Sequence, residues 1–253
     1  MKSQPTECRC RLVAVPKSES DIRPIAVGEI FMKVIASAML MRRIEDQSVG
    51  DFFTKLQFGV GAKGGAEIIV HTVRESFGQE GRDVIATIDM TNAFNTLHRS
   101  AIAKSLFGLP QFAALIPLFL FEYAAYSKLY VKGGHLIESK TGVRQGSVLG
   151  PFLFALAIHH VVKQASVDFT DVRISCYLDD ITLVGEAARV FQVATQINAD
   201  MAKLGLIAKA SKSEWLSASG KAPAGFFTAV PCIKLLGAFI GPDDLCRDRL
   251  VRH

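Results

Sequence analysis

Apolar residues cluster in ways that predict both strands and helices in the first third of the chain. Residues 12–15 and Ile22–Val27 are two short, mostly apolar runs around a polar turn, which indicates a pair of strands. From residue 28 to residue 46 the apolar positions follow helical spacing. A second helical pattern occupies residues 65–77 and follows a glycine-rich stretch at residues 59–65. The pattern therefore predicts two strands followed by two helices.

The rest of the chain alternates helical patterns with short strands. Val84–Ile88 is apolar and partly β-branched, which predicts a buried strand that ends at Asp89. The later elements predicted are helices up to about residue 126, a hairpin of residues 129–131 and 136–138, an apolar helix at 151–163, strands at 173–178 and 181–184, a helix at 187–204, and a closing strand or hairpin at Ile233–Ile240. This order implies an α+β fold with helices packed on one face of the sheet.

Composition narrows the class of protein only slightly. The 253 residues are enough for one large domain or two small ones with a shared core, and 49% of them are hydrophobic. The net charge of +5 fits a polyanionic partner but does not require one. Mean hydropathy is +0.27, and residues 106–126 are the most apolar segment. Because Pro110, Pro117 and Glu122 interrupt it, we expect buried helices and no membrane partner.

Cysteine and histidine residues do not indicate a metal site. The five cysteines are scattered and lack the spacing of zinc sites, which predicts reduced thiols in an intracellular protein of the nucleus or cytoplasm. His159 and His160 lie on the apolar helix predicted at residues 151–163. Adjacent residues on a helix cannot both face the core, so we interpret them as a structural pair with one member pointing outward.

Carboxylates at two predicted strand ends are the first candidates for chemistry. Asp89 ends one apolar strand, and Asp179 and Asp180 join two others. Burying unpaired carboxylates is unfavourable, and adjacent like charges are stabilised when a divalent cation such as Mg²⁺ neutralises them. The alternative is an ordinary surface turn, where aspartate is common because of its local hydrogen bonds.

The surrounding segments resemble, in order, the motifs of reverse transcriptases of the kind encoded by non-LTR retrotransposons and group II introns. The resemblance covers nearly the whole chain, from about residue 12 to residue 241. The segments that carry it are Lys17 with Arg23-Pro24-Ile25, Asp89-Met90-Thr91-Asn92-Ala93-Phe94-Asn95, residues 142–151 (Gly-Val-Arg-Gln-Gly-Ser-Val-Leu-Gly-Pro), Tyr177-Leu178-Asp179-Asp180, Gly205-Leu206 with Lys212, and Lys234-Leu235-Leu236-Gly237. Each is weak alone, whereas six in the family's order are a strong signal.

The resemblance implies the right-hand fold of polymerases. It assigns residues 1–83 to the fingers and residues 84–241 to the palm, an antiparallel sheet backed by helices. A further fingers segment, at about 100–145, interrupts the palm. Residues 242–253 would be the start of a thumb that is largely absent. We therefore expect the chain to be a fragment of a longer retroelement protein or a truncated gene model.

The resemblance also implies the metal site. Asp89 and Asp179 would hold two Mg²⁺ ions, which Mn²⁺ could replace, and Asp180 would support the site. Backbone carbonyls near Met90 could complete the coordination of the second ion. Such ions activate the primer 3′-hydroxyl and stabilise the leaving pyrophosphate.

The remaining motif residues are assigned to substrate contacts by the resemblance. Lys17 and Arg23 would clamp the triphosphate, and Gln145 and Gly146 would line the nucleotide pocket. Lys212 would be either the general acid for the pyrophosphate or one of several lysines that touch phosphates.

The last motif, Lys234-Leu235-Leu236-Gly237, would form the hairpin that positions the primer, although a plain core strand explains Leu235 and Leu236 equally well. The partners implied are an RNA or DNA template with its primer and deoxynucleoside triphosphates; protein partners are not indicated.

Two other functions remain open. An RNA-dependent RNA polymerase shares the palm, but such enzymes tend to have a polar residue where this chain has Phe94. A bulky apolar side chain there favours deoxynucleotides. A catalytically inactive nucleic-acid-binding remnant is the second alternative, and the presence of all three aspartates, Gln145 and Phe94 argues against it.

Overall fold

The apolar segments of the sequence form eleven strands and eight α-helices in the described part of the chain. The computed structural model describes residues 9–16, 22–53, 55–244 and 246–247. The strands are β1 (Arg9–Pro16), β2 (Ile22–Val27), β3 (Val84–Ile88), β4 (Ser127–Tyr130), β5 (Leu136–Ser139), β6 (Arg173–Tyr177), β7 (Asp180–Gly185), β8 (Glu214–Ser217), β9 (Thr228–Ala229), β10 (Ile233–Leu235) and β11 (Ala238–Ile240). The α-helices are α1 (Ile30–Glu45), α2 (Ser48–Phe53), α3 (Gly65–Ser76), α4 (Ala93–Thr96), α5 (Arg99–Phe107), α6 (Ile116–Tyr123), α7 (Gly150–Asp168) and α8 (Ala187–Lys203).

These elements form two compact units, each made of separate stretches of the chain. The first consists of Met1–Phe52 and Asn92–Ala157, and the second of Phe53–Thr91 and Ile158–His253. The division falls inside α7. Both units mix helices and strands, as the α+β prediction requires.

The first unit contains a four-stranded sheet in the order β2-β1-β4-β5. Its pairs are antiparallel except for β1 and β4, which run parallel with Cys10 opposite Leu129. Phe112 lies in the helical core of this unit, where its ring meets Phe52 at 5.4 Å and Phe152 at 5.0 Å between centroids, both edge to face. Such aromatic pairs add to the stability that burial provides.

The second unit is built on a five-stranded sheet in the order β6-β7-β3-β8-β9, antiparallel except between β8 and β9. On one face, Ile85 packs with Val73 of α3 and with Ile233 of β10. Its neighbour on β8, Leu216, packs in the same cluster, so Trp215 points to the other face, where it lines a groove with Phe191 of α8. Helices therefore lie on both faces of this sheet, whereas the element order implied one face.

Several boundaries differ from the sequence pattern. The apolar segment at 106–126 is divided among α5, a 3₁₀ helix at Pro110–Leu115 and α6. The helix predicted at 151–163 continues to Asp168. On it His159 is buried and His160 exposed, which confirms that one histidine points outward.

No helix in the described residues combines the length and the apolar character that crossing a membrane requires.

Candidate active site

The two acidic strand ends meet on one face of the second unit's sheet. β3 and β7 are antiparallel with Ile88 opposite Ile181, so Asp89, directly after β3, stands opposite Asp180, the first residue of β7. Two hydrogen bonds with the turn at residues 209–213 hold the backbone of Asp89 in place. The Asp89 amide donates to Ser213 Oγ at 3.3 Å, and the Lys209 amide donates to the Asp89 carbonyl at 2.8 Å.

A cleft of about 310 Å³ opens at these strand ends. Asp89 and Asp180 line it together with other polar and apolar residues of the same unit: Thr87, Ile88, Ile181, Thr182, Ser211, Lys212, Glu214, Lys234, Leu235 and Leu236. The cleft therefore brings two carboxylates and two ammonium groups to one place. Glu214, which the motifs did not single out, adds a third acidic side chain to the lining.

Asp179 lies in the turn that joins β6 to β7. Leu178 and Asp179 form this turn, and Tyr177 pairs with Asp180 across it. Asp179 is half-buried, and it is not among the residues that line the cleft. Leu178 has a φ of 57°, a left-handed conformation that is unusual for leucine. The buried side chain of Gln57, which sequence reasoning missed, contacts this turn.

The donor set fits a magnesium ion that shares its coordination with a substrate. Within the described residues, no cluster of three or more acidic, histidine or cysteine side chains is arranged to hold a metal. Mg²⁺ usually binds through one or two carboxylates, with waters and substrate phosphates as its other ligands. Asp89 and Asp180 at adjacent strand ends supply that kind of incomplete oxygen site.

The last motif forms the predicted hairpin. β10 and β11 pair with Leu235 opposite Ala238, and the turn residues Leu236 and Gly237 have φ values of 48° and 91°. Two positive φ values are typical of the tight turns that suit antiparallel hairpins. Leu235 packs in the core cluster of this unit and also lines the cleft, so its position is compatible with a core role and leaves primer positioning a prediction.

Both lysines of the cleft are solvent-exposed. Lys234 is on the hairpin, with its ammonium group 5.7 Å from the centre of the Phe239 ring. Lys212 lines the same cleft, at the end of the turn that begins at Lys209. Exposed ammonium groups beside carboxylates can bind phosphate oxygens.

The residues assigned to the nucleotide form a second group, in the first unit. The carbonyl of Gln145 accepts a hydrogen bond from the Ala26 amide of β2 at 2.7 Å. Gly146 has a φ of 101°, and a Cβ atom there would lie 2.8 Å from the Ala26 carbonyl oxygen. Only glycine allows this approach of the loop to β2. Arg23 is exposed on the same strand, and Lys17 lies outside the described residues.

Phe94 is held beside the same loop. It belongs to the short helix α4, and its ring stacks on Phe154 of α7 with 4.7 Å between centroids and 12° between planes. The Phe94 carbonyl accepts a hydrogen bond from the Val143 amide at 2.7 Å. Val143 is two residues before Gln145, so the structure brings two of the predicted nucleotide residues into one neighbourhood.

A buried ion pair supports the Gln145 loop. Arg144 donates to the Glu122 carboxylate at 2.8 Å, and the Ser147 hydroxyl donates to the same carboxylate at 2.7 Å. Arg144 also lies 3.1 Å from Cys10 Sγ and 5.0 Å from the centre of the Tyr123 ring. Burial is the main cause that raises the pKa of Tyr123 to about 12, with a contribution from Glu122. The sequence signal that could have identified Glu122 is that it is the one acidic residue in the apolar segment 106–126.

Comparison with known families agrees with this geometry. The family described as reverse transcriptase (RNA-dependent DNA polymerase) matches residues 15–240. The 132 kDa protein of the retrotransposable element SLACS from Trypanosoma brucei gambiense is 29% identical over 244 residues, which are 94% of this chain and 20% of that protein. The RNA-directed DNA polymerase from the mobile element jockey of Drosophila melanogaster is 26% identical over 187 residues, 69% of this chain and 20% of that protein. The chain thus spans about a fifth of the length of these relatives.

Solved structures are similar at the level of the fold. Telomerase from Candida albicans, in complex with a fragment of telomeric RNA, superimposes with a TM-score of 0.68 at 13% identity, over 94% of this chain and 46% of that one. Apo telomerase from Candida tropicalis gives 0.69 at 13% identity, over 95% of this chain and 47% of that one. The shared architecture is the right-hand fold of polymerases. Because one family spans most of the sequence, from the first sheet to the last hairpin, the chain belongs to the reverse transcriptases.

Proposed function

We propose that this chain catalyses RNA-directed DNA synthesis, adding deoxynucleotides to the 3′-hydroxyl of a primer annealed to an RNA or DNA template. The observation that carries the proposal is the cleft in which Asp89 and Asp180 stand on adjacent strands, with Lys212 and Lys234 in the same lining. Two carboxylates at adjacent strand ends suit metal-assisted phosphoryl transfer, and the two lysines suit an anionic substrate.

In this proposal Asp89, Asp179 and Asp180 hold two Mg²⁺ ions, which Mn²⁺ could replace. When bound, the ions would activate the primer hydroxyl and neutralise charge on the leaving pyrophosphate. Lys212 would donate a proton to the pyrophosphate or bind its oxygens. The exposed Lys234 and the rest of the β10–β11 hairpin, through Gly237, would position the primer end.

The first unit would bind the incoming nucleotide. Lys17 and Arg23 would bind its triphosphate, and Gln145 and Gly146 would line its pocket. Phe94 would lie beneath the sugar, where its ring, held by stacking on Phe154, resists a 2′-hydroxyl. We propose accordingly that residues 1–83 and about 100–145 act as fingers and that the rest of 84–241 acts as palm.

Primer extension by isosteric variants tests the proposal. Asp89→Asn and Asp180→Asn each remove one negative charge from the cleft and keep the side-chain shape. We expect both to lose extension of a primer on an RNA template with deoxynucleotides, while template binding persists. Asp83→Asn is the matched control, because Asp83 is an exposed acid at the opposite end of β3 and should leave extension unchanged.

Three results would contradict the proposal. Extension by Asp89→Asn at the parent's rate would refute the metal assignment. A parent that binds primer–template but never extends it would be an inactive nucleic-acid-binding remnant. A parent that prefers ribonucleotides would be an RNA-dependent RNA polymerase.

A further inference from the structure

Residues 56–59 run alongside the strand that leads into the double-aspartate turn. The Phe58 amide donates to the Cys176 carbonyl at 2.8 Å, and the Cys176 amide donates to the Leu56 carbonyl at 2.7 Å. Gln57 and Cys176 therefore form a parallel bridge at the edge of the five-stranded sheet. This arrangement brings the Gln57 side chain to the end of β6, next to the turn.

The Gln57 side chain bonds both backbone polar groups of Leu178. Its Oε1 atom accepts hydrogen bonds from the amides of Leu178 at 2.8 Å and Gly59 at 2.9 Å, and its Nε2 atom donates to the Leu178 carbonyl at 3.3 Å. Gln57 is only 6% exposed, so these bonds form away from water. Leu178 adopts its left-handed conformation, with φ at 57°, directly before Asp179 and Asp180. One amide group thus supports a backbone conformation that leucine rarely adopts.

Two glycines permit this contact. A Cβ atom at Gly59 would lie 2.7 Å from Leu178 Cγ and 2.8 Å from its amide nitrogen. At Gly65, the first residue of α3, a Cβ atom would lie 2.1 Å from the Phe58 carbonyl oxygen. A side chain at Gly59 would clash with the turn itself, and one at Gly65 would clash with the backbone of Phe58. The glycine-rich stretch therefore fits the close approach of this segment to the turn.

We infer that Gln57 is a positioning residue for the catalytic carboxylates, acting through Leu178 to set where Asp179 and Asp180 point. The inference rests on the proposed function, since it concerns the metal site assigned there. A neutral amide suits this task better than a carboxylate. Glutamate could not donate to the Leu178 carbonyl and would bring a third negative charge to the aspartate pair.

Metal binding by a near-isosteric variant tests this role. Gln57→Met keeps the side-chain length and removes the hydrogen bonds to Leu178. The affinity of the purified chain for Mn²⁺, measured from the EPR signal of the free ion, should fall by about 10- to 100-fold. The Mg²⁺ concentration that half-saturates primer extension should rise correspondingly, while the dissociation constant for primer–template stays at the parent's value. Hydrogen exchange of the Leu178 amide should accelerate.

Two further variants separate positioning from general destabilisation. Val73→Ala removes methyl groups from a fully buried side chain in the core of the same unit and should leave Mn²⁺ affinity unchanged. Leu178→Gly combined with Gln57→Met should recover part of the lost affinity, because glycine adopts positive φ without strain.

Parent-like Mn²⁺ affinity in Gln57→Met would overturn the inference and leave the proposed function standing. A loss of affinity in Val73→Ala equal to that in Gln57→Met would also overturn it. A parent that neither binds Mn²⁺ nor extends a primer would overturn the proposed function, and this inference with it.

Discussion

The ion pair between Glu122 and Arg144 allows a sharp test of how the Gln145 loop is held in place. The Glu122 and Arg144 side chains are 9% and 5% exposed, so neither charge has much access to water. Glu122→Gln keeps the size of the side chain but removes the negative charge. The guanidinium would then face a neutral amide in place of the carboxylate, beside Cys10 and the Tyr123 ring.

The expected loss follows from the burial of the pair. Removing one partner of a buried pair destabilises a protein by about 3–5 kcal/mol, because the other charge remains uncompensated. The amide oxygen of glutamine can still accept one hydrogen bond, which contributes about 1 kcal/mol. We therefore expect Glu122→Gln to lower the free energy of unfolding by about 2–4 kcal/mol. Single domains are usually stable by about 5–15 kcal/mol, so the variant should remain folded.

Urea denaturation of four proteins measures this loss: the parent, Glu122→Gln, Arg144→Met and the double variant. Because the double variant removes both charges of the pair, it should lose less stability than the two single losses added together. Asp200→Asn is the control, since Asp200 pairs with Lys203 at the surface, where the Lys203 side chain is 75% exposed. An exposed pair contributes about 0–1 kcal/mol. A similarly small loss in Glu122→Gln would refute the reasoning.

Two further predictions concern Phe94 and His159. Phe94→Ala should reduce discrimination against ribonucleotides by about tenfold or more, equivalent to about 1.4 kcal/mol. Single-nucleotide incorporation with each sugar measures this change, and an unchanged ratio between the two sugars would refute the role assigned to Phe94. Burial, with Lys163 and His160 nearby, lowers the pKa of His159 to about 4 from 6.5. Because the pKa of His159 in the folded state lies below its ordinary value, the neutral side chain makes its full contribution to stability above pH 6.5. That contribution is lost as the pH drops towards 4. We expect about 2 kcal/mol to be lost by pH 5, as measured by urea denaturation across pH; the loss should disappear in His159→Phe and persist in His160→Gln.

The position of the aspartates at strand ends could be predicted because it depends on local pattern. Val84–Ile88 is apolar except for Thr87, and Asp89 follows it directly. Asp179 and Asp180 separate two runs that are rich in apolar and β-branched residues, which predicted a junction between two strands at that point. Once β3 and β7 pair in antiparallel register, with Ile88 opposite Ile181, Asp89 stands opposite Asp180.

Pairings between distant segments could not be predicted in the same way. β1 and β4 pair in parallel through Cys10 and Leu129, although neither strand carries a signal for the other. β8 was missed because its four residues, Glu214–Ser217, form too short a run to show a period. It becomes a strand because β3 offers it a hydrogen-bonding edge, with Thr87 opposite Glu214. Tertiary pairing decides the secondary structure of such short segments.

The double-aspartate turn explains why Gln57 escaped sequence reasoning. Where a turn needs positive φ, local preference selects glycine or asparagine, and a sequence with either would have indicated the conformation. Here the residue is Leu178, so the conformation depends on support from outside the turn. That support comes from Gln57, which is 121 positions earlier in the chain. Strained backbone persists where surrounding contacts determine it, and such positions are concentrated at functional sites. A leucine with positive φ beside two aspartates therefore directs attention to whatever holds it, and in this chain that residue is a buried glutamine.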